Sequence, residues 1–572
     1  MTQFIKKFFL LKMDFGRKAP KTGLFAPIFL FSFCLWSLVF SLWPAAPVLA
    51  NNLAISNVTM STRDPANDTF ILQFDVSWNN SWRNKINHDA VWLFVKVDTG
   101  TAPYSHCLMK TSGASPTGFS AGSDSDLAIY VPTDKMGAFL RPSASQAMGN
   151  ISTTSVQLKV DYGASSCNIA DTASITPYVY GIEMVFVPTG SFYAGDFPTS
   201  SSAFRQGSAD ADPWYITSEG TIAVQNVASD GYYYKNSGYI TPPNEFSDGT
   251  VFTIPAVFPK GYAAFYAMKY ELTEGQWVSF FNTLTTDQKN TLDITGNVTN
   301  MGIVLGGKNS DSLIYRNTVS WDSGTPTVAA VTTRGDRAMS YISWVDLCAY
   351  LDWAGLRPMT ELEYEKLARG PVIPVRDEYA WGSTDFVKAV TILTAIGSED
   401  GAETITTTDG VTHANIFVPP VGGSAYVGGD DYIGTHGASG PLRAGIFATA
   451  TSDRVMSGAG YYGAMELSGN LKEMVVTVAS TVGIGFIGNH GDGALTSGGC
   501  YGCADVTGWV QLTGAGIILG SGSGTRGGGW GSPVAGGDEK TISYRGLWIS
   551  GYSTNTRSPA MGGRGVRTYD GS

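Results

Sequence analysis

Charge is scarce in this chain of 572 residues: Asp, Glu, Lys and Arg make up 15% of it, and the acids outnumber the bases by 48 to 37. That balance argues against nucleic acid as a partner, because a net negative surface repels phosphate backbones. Histidine is scarcer. His88, His106, His413, His436 and His490 form neither an HxxxH nor an HExxH pair, so the usual helical iron or zinc constellations are missing. The lone CxxC, Cys500–Cys503, has only His490 near it in sequence, short of the four ligands of a structural zinc site. It lies in a Gly-rich loop rather than at a helix start, where a redox CxxC would gain thiolate stabilisation. It therefore reads as a local disulfide that pins its loop, with free thiols as the alternative. Residues 302–309 (GIVLGGKN) approach a P-loop, but Asn309 stands where Ser or Thr should hold Mg²⁺, which argues against nucleotide binding. No repeat of solenoid period is present.

Long apolar runs are also few. The one that could span a bilayer, from about Leu24 to Phe40, follows Lys6, Lys7, Lys12, Arg17, Lys18 and Lys21 and leads to Pro47-Val48-Leu49-Ala50. This is the pattern of a signal peptide over residues 1–50, cleaved after Ala50; an uncleaved anchor is the competing reading. Taking those six bases and Asp14 from the totals leaves 31 bases against 47 acids, a net charge of −16. The expected mature chain is exported to the periplasm, the cell surface or the medium, with no membrane association after cleavage. An oxidising compartment permits Cys107 to pair with Cys167.

Glycine is plentiful, at 69 residues, and suits long ordered loops better than helical bundles. The length implies more than one domain. Residues 51–180 read as a separate β-sandwich domain: Phe70, Leu72, Phe74 and Val76 alternate with Gln73 and Asp75, and residues 90–97 and 156–160 make further strands. Residues 181–572 form the second domain, interrupted by a Ser-, Asp-, Gly- and Tyr-rich insertion over about 196–258.

Within the second domain, residues 338–370 organise the chain as a pair of helices. Ser343 caps the first, with Asp346 favouring its positive end, and Trp344, Leu347, Cys348 and Leu351 share one face. Gly355 stops it. Thr360-Glu361-Leu362-Glu363 is a capping box opening the second, whose Tyr364, Leu367 and Ala368 point inward as far as Gly370. Thr273-Glu274-Gly275-Gln276 is another capping box, ahead of Trp277, Phe280, Phe281 and Leu284 on an apolar face.

The wording SYISWVDLCAYLDWAGLRPMTELEYEKLARG in this stretch resembles the signature of the formylglycine-generating enzyme (sulfatase-modifying factor) family. Further matching pieces follow the same order: IEMVFVPTGSFYAG from Ile182, MKYELTEGQWVSFF from Met268, YAWG from Tyr379, ANI from Ala414, YGAMELSGNLKEMV from Tyr462, TRGGGW from Thr525 and GRGVR from Gly563. The resemblance covers about the last two thirds of the chain. It implies an α+β, C-type-lectin-like fold rich in irregular structure. It also implies calcium, held by Asn415, the Ile416 carbonyl, Asp431, the Ile433 carbonyl, Asn470 and Glu473, an oxygen-rich set that suits this ion.

One family feature is missing. The enzymes follow their RGGS-type strand closely with two cysteines that bind copper and perform the oxidation, whereas Arg526–Trp530 here is followed by GSPVAGGDEKTISYRGLWIS. Copper(I) requires soft thiolates, so copper is not expected. The first expectation is therefore an exported, non-catalytic binding or surface protein on this lectin-type scaffold, with a protein or glycan ligand. Retroelement-diversified variable proteins share the fold, and the C-terminal wording resembles theirs too. The alternative is a metal-dependent oxidase of the family, generating formylglycine on a protein cysteine; a purely structural envelope component would need no site. In the binding reading, Tyr544, Arg545, Trp548, Tyr552, Asn555 and Arg557 line an outward-facing recognition surface, in a segment whose Ser, Thr, Tyr, Trp and Gly suit binding loops.

Overall fold

The computed structural model describes residues 52–571 apart from 201–202, 237–244, most of 386–439, 449–451, most of 511–521, 532–538 and 547–555. The alternation in the first third builds nine strands: β1 (Ala54–Met60), β2 (Thr69–Arg83), β3 (Asp89–Asp98), β4 (Ser105–Cys107), β5 (Gly113–Ala114), β6 (Leu127–Val131), β7 (Ala138–Pro142), β8 (Gln146–Asp161) and β9 (Thr176–Val187). Strands β1, β2 and β8 form one antiparallel sheet. Its inner face, Phe70, Leu72, Phe74, Val76, Val156, Leu158 and Val160, packs on Val91, Leu93 and Val95 of β3 and Leu140 of β7. The alternation read from the sequence is this face. Cys107, at the end of β4 and buried in this core, is joined to Cys167 by a disulfide.

The second layer does not end at residue 180. Three short pairs come next: β10 (Phe192–Ala194) with β12 (Trp214–Ile216), β11 (Arg205–Gln206) with β14 (Tyr232–Tyr233), and β13 (Ile222–Val224) with β15 (Phe252–Ile254). After them β16 (Phe265–Met268) pairs with β9, and later β19 (Arg357–Pro358), which follows the hairpin β17 (Val298–Asn300) and β18 (Ile303–Gly306), pairs with the C-terminal strand Gly565–Thr568. One nine-stranded sheet results, in the order β19, the C-terminal strand, β16, β9, β3, β7, β6 and β5, with β4 also on β3. Residues 51–180 are thus not walled off as a separate domain. They supply half of a sheet that residues 181–572 complete, and residues 46–572 form one compact unit.

Strand β3 explains the merger. Its odd positions face the first core, while Ala90, Trp92 and Phe94 face a second core that contains α1 (Glu274–Phe281) and α3 (Trp344–Trp353). A strand apolar on both faces must be covered on both sides. The helices begin where their caps predict. Thr273 and Gln276 exchange both hydrogen bonds of a capping box, as do Thr285 and Gln288 ahead of α2 (Thr286–Leu292) and Thr360 and Glu363 ahead of α4 (Glu361–Arg369). At α3 the Asp346 carboxylate accepts from the Ser343 backbone N–H at 2.8 Å and its hydroxyl at 2.7 Å.

The sequence expects one apolar face on each of α3 and α4, but every residue of both helices is buried. Around α4, charge is satisfied by partners from distant loops rather than by water. Tyr233 and Tyr234 of the insertion are also buried, which makes that aromatic run a packing element. No helix among the described residues is long and apolar enough to cross a membrane.

Candidate functional site: buried carboxylates around the fourth helix

Helix α4 carries Glu361, Glu363 and Glu365, all buried. Isolated buried carboxylates would cost several kcal/mol each, so each must be paired. Glu363 closes the capping box at the Thr360 N–H and accepts from both terminal nitrogens of Arg357, at 2.6 and 2.9 Å. Glu361 accepts from Arg545 at 2.8 and 3.1 Å and from the Val478 N–H at 2.8 Å. Glu365 accepts from Arg526 at 2.6 Å, Arg369 at 3.1 Å and the Gly195 N–H at 2.6 Å. Burial works against ionisation of Glu361, but Arg545 and Arg526 outweigh it and hold its carboxyl below the ordinary range. Arg369 bonds onward to Glu378, so the lattice runs from the helix into the loop after it.

This arrangement corrects the expected recognition surface. Arg545 lies under the fold in the Glu361 pair. Arg557 donates to both oxygens of Asp346, at 2.9 and 2.7 Å, and to the carbonyls of Thr291, Asp293 and Gly306. A guanidinium is the group suited to such bidentate buried pairing, which is why these arginines are internal. Tyr544 is half-buried. Trp548, Tyr552 and Asn555 lie outside the described residues, as do the expected calcium ligands Asn415, Ile416, Asp431 and Ile433.

Asn470 and Glu473 fall in a second acidic group, with Glu271 and Glu466, which the sequence reading missed. Asn470 accepts from the Leu442 N–H at 2.9 Å and donates to Glu271, so it is a strut between loops. Glu473 pairs with Arg564 at 2.5 Å through one oxygen. Its other oxygen, and Oε2 of Glu466, are buried with no hydrogen-bond partner among the described residues. Burial, followed by repulsion from Glu473 and Glu466, pushes the Glu271 carboxyl well up. Burial likewise raises Glu466 to about 7. Glu466 and Asn470 both hold positive φ, 58° and 56°, a conformation that non-glycine residues keep only when their surroundings enforce it. A small cavity of about 10 Å³ opens beside them, lined by Glu466, Ser468, Asn470 and Leu442, with room for one water-sized occupant. The two orphaned oxygens, Oε2 of Glu466 and of Glu473, are the atoms a hard cation such as calcium would take, beside Arg443 in the cavity lining and Arg564 on Glu473.

The cysteines among the described residues do not fit copper. Cys107 and Cys167 are bonded to each other, Cys500 is paired with Cys503, and Cys348 is buried in α3, where burial pushes its thiol well up. Residues 539–546, just past Arg526–Trp530, present Lys540, Thr541, Ile542, Ser543 and Arg545, all buried and none a thiolate. The glycines of the motif serve close approach instead: a Cβ on Gly527 would stand 2.4 Å from the Leu467 carbonyl oxygen. Trp530 is buried, its indole N–H donating to the Pro559 carbonyl at 3.1 Å.

Residues 177–569 match the family model of the sulfatase-modifying factor enzyme 1-like domain. A stretch of 55 residues is 40% identical to the formylglycine-generating enzyme of Thermomonospora curvata, covering 10% of this chain and 18% of that protein. The chain thus spans less than a fifth of that curated relative's length in the match. The family match begins within β9 and ends one residue past the strand Gly565–Thr568, so it takes in α4, both acidic groups and their arginine partners. On that match the chain belongs to the sulfatase-modifying factor enzyme 1-like family.

Proposed function

We propose that this is an exported, non-catalytic member of the family, which uses the scaffold to present a binding surface to a protein or glycan and keeps a calcium ion at Glu466 and Glu473 as a structural tie. The observation that carries the reading is the cysteine inventory: among the described residues every cysteine is either in a disulfide or buried in a helix, and none follows Arg526–Trp530. Oxidation of a substrate thiol on copper needs thiolate ligands at the metal, and no residue here takes that place. Glu361, Glu363 and Glu365 of α4 are committed to arginines inside the fold.

Two measurements on secreted protein test this. Its intact mass should begin at Asn51; a retained, membrane-bound precursor would refute export. Incubated with copper and a CxPxR peptide of the sulfatase type, it should yield no formylglycine. An aldehyde above the enzyme-free control would favour the oxidase reading, which rests on the name of the relative in Thermomonospora curvata and would draw on Cys500 and Cys503 as the remaining close pair.

A further inference from the structure

An open groove of about 790 Å³ runs beside β19, far larger than the cavity at Glu466. Small-molecule sites occupy roughly 300–1,000 Å³. One wall is apolar and comes partly from the insertion: Ala256 and Val257, continued by Pro259 and Phe265. Ile487 and Val506 line it too. Val257 is 60% exposed and Ile487 38%, so this apolar surface is left in water.

The groove has a charged end. Asp492 and Asp505 line it, both exposed, and the buried Asp352 lies behind them, with one oxygen of each carboxylate within 4.8 Å of the others. Asp352 accepts the backbone N–H of Asp492 at 2.9 Å and of Asp505 at 3.3 Å, and so fixes the loops that carry the outer pair. Glu219 adds a carboxylate to the lining; it accepts the N–H groups of Lys260 and Ala263.

The nearby cations are already engaged. Arg357 is bidentate on Glu363, and Arg567 is paired with Asp134. His490 accepts the Thr568 N–H at Nε2, so its proton sits on Nδ1, 3.2 Å from Asp134. Burial keeps that imidazole neutral, with its pKa down at about 4. Lys96 lies below, donating to the Gly493 carbonyl at 2.8 Å and facing the Trp353 ring. Burial pushes its pKa well down, against the pull of Asp352 and Asp492. Among the described residues neither Asp492 nor Asp505 forms an ion pair.

We propose that the groove binds an elongated aliphatic ammonium ligand, its alkyl stem along Val257, Pro259 and Ile487 and its cationic head between Asp492 and Asp505. A bare metal ion would leave the apolar wall wet, and a neutral ligand would leave the two acids repelling each other. An alkylammonium covers both, as a lysine side chain does when its stem packs and its head stays polar. A free polyamine and a lysine on a polypeptide carry the same chemistry. The inference stands whether or not the chain oxidises thiols.

Calorimetric titration of the full mature chain with spermidine, in calcium-containing buffer, should show one saturable site. Asp492→Asn with Asp505→Asn should weaken it by roughly tenfold or more without lowering the melting temperature, since both side chains are exposed and their charges repel. Val257→Ser should weaken it less, and fully acetylated spermidine should not bind. A lysine-containing pentapeptide that binds more tightly than spermidine would assign the groove to polypeptides; one that binds more weakly would assign it to free polyamines. No binding, undiminished binding to the double variant, or displacement of spermidine by millimolar calcium would overturn the proposal.

Discussion

Replacing Arg526 by alanine is expected to remove about 3–5 kcal/mol of unfolding free energy, the usual cost of stripping one partner from a buried ion pair. Its guanidinium has no solvent contact. It lies 2.6 Å from Glu365 and 3.6 Å from Glu361, and it donates to the carbonyls of Ile542 and Tyr544 at 2.9 and 3.0 Å. Alanine would leave two carboxylates short of a cation and two carbonyls short of a donor at once. Arg545 and Arg369 still reach the same acids, which keeps the loss within that range. Arg526→Met preserves volume and should be nearly as damaging, whereas Arg526→Met with Glu365→Gln should recover part of the loss. Urea unfolding of the three variants reads this directly. A loss below about 1 kcal/mol for the alanine variant would mean that the lattice behaves as a set of surface pairs.

With cations chelated, stability should fall as pH rises from about 5 to about 7. Glu466 and Glu274 both titrate at about 7 in the folded chain, against 4.5 as the ordinary value, and burial is the leading cause for each. In that window the folded protein holds protons that the unfolded chain has released, so raising the pH draws the equilibrium towards unfolding. The stability is present in full below the unfolded value and is lost on passing the folded one, on the order of 3 kcal/mol for each carboxyl. A cation bound at Glu466, as proposed, would take over the role of its proton. Calcium should therefore flatten the Glu466 share and leave that of Glu274, which is satisfied by Thr318 and Thr332. Glu466→Gln should be flatter than the parent in chelator and indifferent to calcium. Melting temperatures across pH for both proteins, with and without calcium, decide it; identical curves for parent and variant would remove the cation site.

The ends of elements were legible because capping is local chemistry. Thr273, Ser343 and Thr360 mark their helices, and the alternation of Phe70 to Val76 marks a face. Burial of the charged residues was not legible. Nothing near Glu361 or Asp346 in sequence announces that Arg545 and Arg557 will cover them, because the pairing is made by loops folding back from the other end of the chain. A Tyr-, Trp- and Arg-bearing segment therefore reads as a binding loop when its arginines are internal struts. The same limitation hid Glu466. The N-x-x-E spacing points to Asn470 and Glu473, while a second residue with an orphaned oxygen, Glu466, sits four positions before Asn470 at a positive φ. The expected boundary at residue 180 misled for a related reason: a β3 strand apolar on both faces can close a small sandwich or sit at the centre of a larger sheet, and only the partners decide.

The order of that sheet governs when the molecule can exist at all. Strand β16 lies between β9 and the last strand, with Phe265 opposite Thr568, and β19 depends on that last strand for its pairing. Until residues 565–568 emerge, β16 carries an open hydrogen-bonding edge and the core beneath α4 lacks Val566. Contacts this distant along the chain are slow to close, and unpaired edges invite association with other chains. A polypeptide built in this way commits to its native sheet late, once residues 565–568 are available to close the edge of β16.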